Sequence, residues 1–404
     1  MSKLLITAME IEGVPCIVTA LEAEDRILEF RFRPQEENGI LGNVYLAHVE
    51  DLAEHIQSAF VEIQKGVKCY FSLKEQEQLI FANPFRQPPL REGDDILVQV
   101  SRDAMKGKVP AVTANLNFTG KYLVLTSGKK DLGLSSKLEK EERHRLQQWL
   151  KEEKTEEYGL VVRTNARDAS KEEILEELDY LKKRFDTVVN RGRSRTTRSL
   201  LEEAEPFYLA AIRDVYQENL QEIVVEGDEL FYRVKSYLDN YQPKLADRLR
   251  HYQDRLLPLH KLYVLERNLE KARQEKVWLN SGGYLVIQQT EAFVSIDVNS
   301  GKYAGKKKAE ETCRKINLEA AREIARQVRL RNLSGIILID FINMKSADHR
   351  EELLHVLQKQ VRPDPVKTVV VDMTPLNIVE MTRRKVRRPL AEDLQEIRQY
   401  RQDF

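Results

Sequence analysis

Two aspartates stand at the ends of apolar runs, where a carboxylate is suited to binding a ligand. Asp297 and Asn299 share the polar face of an alternating run over residues 292–299. Asp340 ends the aliphatic run 336–339, which is apolar on both faces and predicts a central strand. A charged group there is costly unless it is paired or binds a metal. Ligands of open α/β sheets bind at such strand ends.

If the two strands are neighbours, Asp297 and Asp340 can hold one hard cation. Two carboxylates, an amide and several waters suit Mg²⁺, which binds phosphate oxygens and activates water. A purely structural explanation is also open, in which Asp340 caps a turn and Asp297 begins a loop. Spacing alone does not decide between the two. Asp372 ends a further run of valines and is a weaker ligand candidate.

The elements that must position these groups are predicted from hydrophobic periodicity. The first 130 residues alternate with period two in about five short strands, which predicts a small closed barrel. From Leu138 to about residue 279 helices are expected, with a strand at 158–164 and a helix N-cap at Ser170, followed by Glu173. The last third predicts an α/β layer structure. Its strands are expected near 284–289, 292–298, 336–342 and 366–373. Its long helix is expected near 309–333, with a buried stripe of Ile316, Ala320, Ile324 and Val328.

Length and composition narrow the class of protein. The 404 residues suggest two or three domains, and the hydrophobic share of 42% excludes a disordered or collagen-like chain. No apolar run is long enough for a membrane helix and no signal-peptide layout is present, so we expect a cytoplasmic protein that does not contact membranes. The cysteines are too few and scattered for a disulfide framework or a CxxC metal site; they are Cys16, Cys69 and Cys313.

Charge is balanced overall but unevenly distributed. The chain has 65 basic and 65 acidic residues, yet basic residues are in excess at 182–198, 301–331 and 383–388. Such runs are usually solvated faces of helices. Three of them, two flanking the candidate metal site, favour binding of a polyanion.

Several long motifs, in order, resemble the ribonuclease E/G family. They are GGYLVI at 282–287, EAFVSIDVNSG at 291–301, NLEAAREIARQVRLR at 317–331, GIILIDFI at 335–342 and VEMTR at 379–383. The likeness runs from the first strands to about residue 388 and is strongest to the short ribonuclease G branch.

The resemblance implies an endoribonuclease that cleaves single-stranded RNA in ribosomal RNA processing or message turnover. It implies that Asp297 and Asp340 hold Mg²⁺, that Asn299 orients the scissile phosphate or a ligand carboxylate, and that Lys367 lies near the active site. Hydrolysis by metal-activated water would leave a 5′-phosphate and a 3′-hydroxyl.

The resemblance also assigns RNA contacts in the first third of the chain. Phe60 and Tyr70 match two RNA-contacting aromatics, and Lys108 matches their basic partner; the family usually has Phe where Tyr70 stands. Aromatic stacking beside a basic groove is how single strands are bound. The residues alone instead favour a core position for Phe60, because its neighbours are apolar.

A 5′-phosphate sensor is the last implied site. Arg163 and Thr164 end a strand that resembles the sensor, and Gly120 and Val124 match backbone positions near it. An arginine can grip a terminal phosphate with two hydrogen bonds, and the threonine hydroxyl adds another.

The expected fold class is therefore an α+β multidomain chain. An S1 (OB-type) β-barrel is inserted in a split ribonuclease-H-like subdomain, followed by a 5′-sensor subdomain and an α/β deoxyribonuclease-I-like catalytic subdomain. The expected boundaries are 1–39 with 218–276 for the split subdomain, 40–124 for the barrel, 125–217 for the sensor, 277–388 for the catalytic subdomain and 389–404 for a C-terminal tail.

The chain departs from the family after its last basic motif. The family's CPxC-type segment, in which two chains share zinc, is not found in residues 389–404. No zinc is therefore expected, and a homodimer without the zinc link stays open. The alternative function is a non-catalytic RNA-binding protein that uses the S1 barrel alone; a weaker one is a metal nuclease acting on DNA. The pair Asp297 and Asp340 disfavours the binding-only alternative, because binding needs no metal carboxylates.

Overall fold

The structure, a computed structural model, describes residues 1–36, 39–102, 104, 109–153, 157–215, 220–301 and 309–403. The chain forms two compact units. Unit 1 combines Met1–Glu37 with Glu218–Phe404, and unit 2 is Asn38–Gln217. Unit 2 is thus an insertion between the two chain segments of unit 1. The finer subdomain boundaries stay predictions.

Unit 1 begins with three antiparallel strands joined by tight turns. They are β1 (Ser2–Ile11), β2 (Val14–Ala23) and β3 (Arg26–Pro34). The turn residues Glu12, Gly13, Glu24 and Asp25 all have positive φ. Two-residue loops of this conformation match the right-handed twist of the strands they join.

Unit 2 contains a closed five-stranded barrel. Its region comprises β4 (Val44–Ala53), β5 (Ser58–Gln64), β6 (Val67–Ser72), β7 (Ile80–Phe81), β8 (Asp95–Arg102) and β9 (Ala111–Thr113). Strands β4, β5, β6, β9 and β8 pair in that order, and pairing of β4 with β8 closes the ring. Alternate residues such as Ala59, Val61 and Ile63 fill the interior. The predicted barrel is confirmed, and its form is consistent with an S1 OB fold.

The remainder of unit 2 is a small sheet with helices. Its elements are β10 (Asn117–Thr119), β11 (Leu123–Thr126), β12 (Leu132–Leu134), α1 (Lys140–Leu150), β13 (Gly159–Val162), α2 (Lys171–Ser194), β14 (Ser199–Glu202) and α3 (Phe207–Asp214). The sheet order is β10-β11-β13-β12. The predicted N-cap is confirmed: the Ser170 side chain accepts from the Glu173 N–H, and the Glu173 carboxylate accepts from the Ser170 N–H.

The chain then completes the first sheet of unit 1. The elements are β15 (Leu220–Glu226), α4 (Asp228–Tyr241), β16 (Leu249–Tyr252), α5 (Leu259–Leu262) and α6 (Leu265–Arg273). The sheet order is β16-β15-β1-β2-β3, with β15 parallel to β1. The prediction of helices throughout this region missed the strands, because short buried parallel strands lack the alternation by which strands are recognised.

The second sheet of unit 1 carries the candidate carboxylates. Its elements are β17 (Lys276–Trp278), β18 (Tyr284–Gln289), β19 (Phe293–Asn299), α7 (Ala309–Leu330), β20 (Gly335–Asp340), α8 (Ala347–Val361), β21 (Thr368–Met373), β22 (Ile378–Arg383) and α9 (Leu390–Asp403). The order is β17-β18-β19-β20-β22-β21, and β19 and β20 are parallel. The predicted strands and long helix of this region are confirmed to within a few residues.

Helices pack on one face of this sheet. α7 buries the predicted stripe of Ile316, Ala320, Ile324 and Val328 against the sheet core, together with apolar residues of α8. On the other face Ile336 is 52% exposed. β20 is central, as predicted, but only one of its faces is buried. The face of β20 opposite the helices is therefore open to solvent.

Within the described ranges, the structure contains no helix long and apolar enough to cross a bilayer.

Candidate active site

Asp297 and Asp340 lie side by side at the ends of neighbouring strands. In the parallel pairing of β19 with β20, Asp297 is the direct register partner of Asp340. Adjacent strands are about 4.8 Å apart, and register partners point to the same face. Both residues are exposed. The two strands are separated in sequence by α7, so it is their pairing in the sheet that places the two carboxylates side by side.

Asn299 completes this group. Its amide Nδ2 donates to Asp297 Oδ2 at 2.6 Å, which orients the carboxylate along the sheet surface. The set consists entirely of oxygen ligands once the amide oxygen is counted, with two carboxylates and open space for water. These are the donors that a hard divalent cation prefers, and Mg²⁺ in particular is often bound through one or two carboxylates. The residues fit such an ion.

Further carboxylates lie on the same sheet but farther away. Asp372 pairs with Glu380 across β21 and β22, and Glu380 in turn pairs with Leu338 of β20. Asp372 is thus two strands from the Asp340 strand, about 10 Å away. In the part of the chain that the structure describes, no three His, Cys, Asp or Glu side chains are grouped to hold a metal. The geometry consequently favours a two-carboxylate site.

Lys367 is not brought to this pair. It immediately precedes β21, where Thr368 aligns through Arg383 with Gly335, the first residue of β20. Asp340 lies five residues farther along β20, about 17 Å at the rise of a strand. A lysine side chain cannot span that length, so the expected position of Lys367 near the carboxylates is corrected. The antiparallel turn between β21 and β22 is the reason, because it sends the start of β21 to the opposite end of the sheet.

Phe60 and Tyr70 lie together on the outside of the barrel. They are direct partners in the pairing of β5 with β6. Phe60 is half-buried, while its neighbours Ala59 and Val61 are buried inside the barrel. The core position that the residues alone favoured for Phe60 is therefore wrong, because period two turns it outward. Lys108 lies outside the described residues.

A cavity of about 590 Å³ opens beside Phe60. Its lining includes three basic side chains, His48, Lys68 and Arg198, and two acidic ones, Glu50 and Asp51. Of the basic three, only Arg198 belongs to a basic run that the sequence had marked, the one at 182–198. Lys68 lies two residues before Tyr70 on the same strand, so period two could have identified it. Arg198 could not be found in this way, because it reaches the cavity from a distant loop.

The sensor residues meet at one corner of the small sheet of unit 2. The Arg163 guanidinium donates to the Gly120 carbonyl at 2.6 Å and to the Asp214 carboxylate at 2.7 Å. Val124 lies on β11, paired with Val161 two residues before Arg163. Thr164 follows at once, and its Oγ1 is 2.9 Å from Ser135 Oγ. The structure brings Gly120 and Arg163 into contact and holds Val124 and Thr164 on the adjoining backbone.

Glu177 of α2 fixes the turn that carries this corner. Its carboxylate accepts hydrogen bonds from the backbone N–H groups of Lys121, Tyr122 and Leu123, each at 2.7 Å. A Cβ at Gly120 would lie 2.5 Å from the Glu177 carboxyl carbon, so the close approach requires glycine. Burial raises the pKa of Glu177, although the three N–H donors favour its ionised form. No motif in the sequence marks Glu177 as part of this corner.

Many residues of the basic runs form internal ion pairs. Arg383 is buried and pairs with Asp364, Arg388 pairs with Glu396, and Arg184 pairs with Glu202. The interpretation of these runs as surfaces for a polyanion is therefore too simple, because part of their charge stabilises the fold.

Comparison with known proteins agrees with this architecture. A sequence model of the Ribonuclease E/G family matches residues 117–386. Ribonuclease G of Salmonella typhimurium (strain SL1344) is 33% identical over 370 residues, 89% of this chain and 76% of that protein. Ribonuclease G of Haemophilus influenzae is 33% identical over 382 residues, 92% of this chain and 78% of that protein. Ribonuclease E of Nostoc sp. (strain PCC 7120) is 32% identical over 379 residues, 91% of this chain and 54% of that protein.

The family match covers well over half of the chain, and the ribonuclease G relatives are matched over about three quarters of their length. This protein therefore belongs to the ribonuclease E/G family of endoribonucleases.

Proposed function

We propose that this endoribonuclease hydrolyses single-stranded RNA on the open face of the second sheet of unit 1, at Asp297 and Asp340. One observation carries the proposal: the two carboxylates are register partners on adjacent parallel strands and both are exposed. Like charges placed side by side destabilise a sheet. Such an arrangement is understandable where a bound cation offsets the repulsion.

Members of this family are metal-dependent nucleases, and we propose Mg²⁺ as the ion. Asp297 and Asp340 would hold it, and when bound it supplies an activated water and neutralises charge on the phosphodiester. Asn299 holds the Asp297 carboxylate in one orientation through the 2.6 Å hydrogen bond. Its amide oxygen stays available to a ligand. The products would carry a 5′-phosphate and a 3′-hydroxyl.

The barrel of unit 2 would bind the RNA strand. Phe60 and Tyr70 form a cross-strand pair that offers ring surface, and the neighbouring cavity holds Lys68 and Arg198, for which an RNA phosphate would compete with Glu50. A base stacked on an aromatic ring contributes about 1–3 kcal/mol whatever its identity, which suits a strand of varied sequence. Lys108 is proposed as a further contact on the resemblance alone.

The corner formed by Gly120, Val124, Arg163 and Thr164 would bind a 5′-monophosphate. Arg163 is already oriented by the Gly120 carbonyl, and its second partner is Asp214. A terminal phosphate must therefore compete with Asp214 for the guanidinium. That competition would make the site selective for a dianionic phosphate over a 5′-hydroxyl, which cannot displace a carboxylate.

The finer biological assignment follows from the resemblance. We propose ribosomal RNA processing or message turnover in the cytoplasm as the process. A non-catalytic RNA-binding protein is the second candidate, and only the aromatic pair on the barrel favours it. It leaves the paired carboxylates of the second sheet unexplained.

The test is cleavage of a 5′-monophosphorylated A/U-rich RNA with and without Mg²⁺. We expect Asp297→Asn and Asp340→Asn each to reduce the cleavage rate at least a hundredfold while RNA binding persists. Asp372→Asn is the matched control: it removes the same charge from the same sheet two strands away, and we expect cleavage close to the unsubstituted rate. Undiminished cleavage by Asp340→Asn would refute the site.

A second readout is independent of activity. Mg²⁺ bound only to the folded state raises the melting temperature, by linkage. We expect this rise in the unsubstituted protein and its loss in Asp297→Asn and Asp340→Asn. Without metal these two variants should melt no lower than the unsubstituted protein, since each removes a like-charge repulsion.

A further inference from the structure

Two aromatic rings and a lysine form a cluster on the same open face as the carboxylates. Trp278 of β17 and Tyr284 of β18 are direct cross-strand partners, with ring centroids 5.3 Å apart. Lys276 Nζ lies 3.7 Å from the Tyr284 ring centroid and 4.2 Å from that of Trp278. The Trp278 side chain is nonetheless 65% exposed. Its indole leaves ring surface available to a flat ligand.

The strand register links this cluster to the carboxylates. Tyr284 is the partner of Asn299, which donates to Asp297. Lys276 aligns through Val286 with Asp297 itself. Trp278 is two strands from Asn299, about 10 Å at the usual spacing. A nucleotide joined to a phosphate at the carboxylates is long enough to reach the indole.

A simpler explanation is that these residues only protect the edge of the sheet. β17 is an edge strand, and an edge lysine discourages pairing with other chains. That explanation accounts for Lys276 but not for Trp278. The strand is anchored by Val277, which packs on the sheet core from the opposite face. A large exposed indole adds little to this anchoring and exposes apolar surface to water.

We propose that Trp278 and Tyr284 form a base-stacking subsite of the active site, and that Lys276 contacts the adjoining phosphate. The inference rests on the proposed function, because the subsite is defined by its distance from Asp297 and Asp340. Any base presents a ring face to the indole, so the subsite positions a nucleotide beside the scissile phosphate without selecting its identity. An unpaired base is required, which adds to single-strand specificity.

Fluorescence offers a direct test, because the chain has only two tryptophans. In Trp149→Phe the remaining tryptophan is Trp278. We expect a short single-stranded RNA, titrated in EDTA so that it is not cleaved, to quench this fluorescence saturably. Binding of labelled RNA, followed by anisotropy, with no change in Trp278 emission would overturn the proposal.

Affinity gives the second test. In EDTA, Trp278→Ala should weaken binding about fivefold to a hundredfold, the effect of losing one stacked base, and Trp278→Phe should restore most of it. Tyr232→Ala is the matched control, because Tyr232 is 63% exposed in unit 1 but lies on α4. We expect no change in its RNA affinity. An equal loss in both alanine variants would contradict a specific subsite.

An abasic substitution shows which nucleotide is stacked. RNAs with one abasic nucleotide, moved stepwise across the cleavage site, should lose affinity for the unsubstituted protein at one position next to that site. Trp278→Ala should show no such loss at that position. If both proteins lose affinity equally at every position, the base does not stack on Trp278.

The two proposals fail in different ways. Undiminished cleavage by Asp340→Asn would refute the carboxylate site. The stacking measurements are made without metal, so they could still be interpreted. Loss of cleavage in Asp340→Asn would support the carboxylate site. If RNA binding then left Trp278 emission unchanged, and Trp278→Ala bound RNA as tightly as the unsubstituted protein, the stacking subsite alone would be refuted.

Discussion

Replacement of Glu29 by glutamine should destabilise unit 1 without altering the candidate active site at Asp297 and Asp340. Glu29 of β3 is 8% exposed. Its Oε1 lies 2.8 Å from both Arg31 and Arg387, and its Oε2 lies 3.3 Å from Arg329. Arg329 is on α7 and Arg387 follows β22, so one carboxylate links the first sheet to elements of the second. Three guanidinium groups would lose their common counter-ion.

The size of the effect follows from burial. Removing one partner of a buried ion pair costs about 3–5 kcal/mol, because the remaining charges stay desolvated and unpaired. The arginines here keep part of their side chains in water, which places the expected loss near the lower end, about 3 kcal/mol. Glu24→Gln is the matched control: Glu24 lies exposed in the turn before β3, and we expect a change below about 0.5 kcal/mol.

The ion pairs of Glu29 also predict how the stability of unit 1 depends on pH. Burial alone would raise the pKa of Glu29, but the arginines outweigh it and hold that pKa well below its ordinary value. Its contribution to stability is therefore complete above the unfolded-state pKa of about 4.3 and declines as the pH falls below it. At about 1.4 kcal/mol per pH unit, the difference between the unsubstituted protein and Glu29→Gln should narrow by about 1 kcal/mol at pH 3.5.

Urea unfolding followed by Trp278 fluorescence measures this in a Trp149→Phe background, because Trp278 lies in unit 1. Cleavage by Glu29→Gln at low temperature should stay near the unsubstituted rate. A loss of stability below about 0.5 kcal/mol at pH 7, or a difference that does not narrow at pH 3.5, would refute the role of the ion pairs.

Two further predictions concern unit 2. Arg163→Ala should cleave 5′-monophosphorylated and 5′-hydroxyl RNAs at equal rates, because the guanidinium that distinguishes the two ends is gone. Cleavage rates on paired substrates measure this. Equal rates in the unsubstituted enzyme would refute the sensor. Phe60→Ala should weaken binding of single-stranded RNA about fivefold to a hundredfold by anisotropy, the effect of one stacked base, while Phe85→Ala, which removes a ring that is 92% exposed in the same unit, should not. Unchanged affinity in Phe60→Ala would contradict an RNA contact there.

Local patterns were sufficient where the structure depends on neighbours in sequence. Alternation predicted the barrel and the strand that ends at Asp297, because each of these strands has one buried face. The strand that ends at Asp340 was predicted instead from its continuous aliphatic run. The N-cap at Ser170 was also predictable from neighbours in sequence, since a capping box joins residues only three positions apart. The stripe of α7 followed from its 3.6-residue period.

Patterns failed where pairing partners are distant. β15 lies parallel to β1, more than 200 residues away, and its three consecutive apolar residues, 223–225, are too few to show the alternation of a strand. Lys367 was expected beside the carboxylates, yet the antiparallel return through β22 puts it at the far end of the sheet. The basic runs suggested exposed charge, whereas Arg329 pairs with Glu29 across 300 positions.

The sequence by itself determined the family, the strand-end carboxylates and the amide two residues after Asp297. Only the tertiary structure decided that Asp297 faces Asp340, that Lys367 does not join them and that Trp278 lies on the same open face. The physical reason is register. Side-chain direction within a strand depends on the local backbone, but which strands become neighbours, and at which residue they align, depends on packing of the whole sheet against α7 and α8.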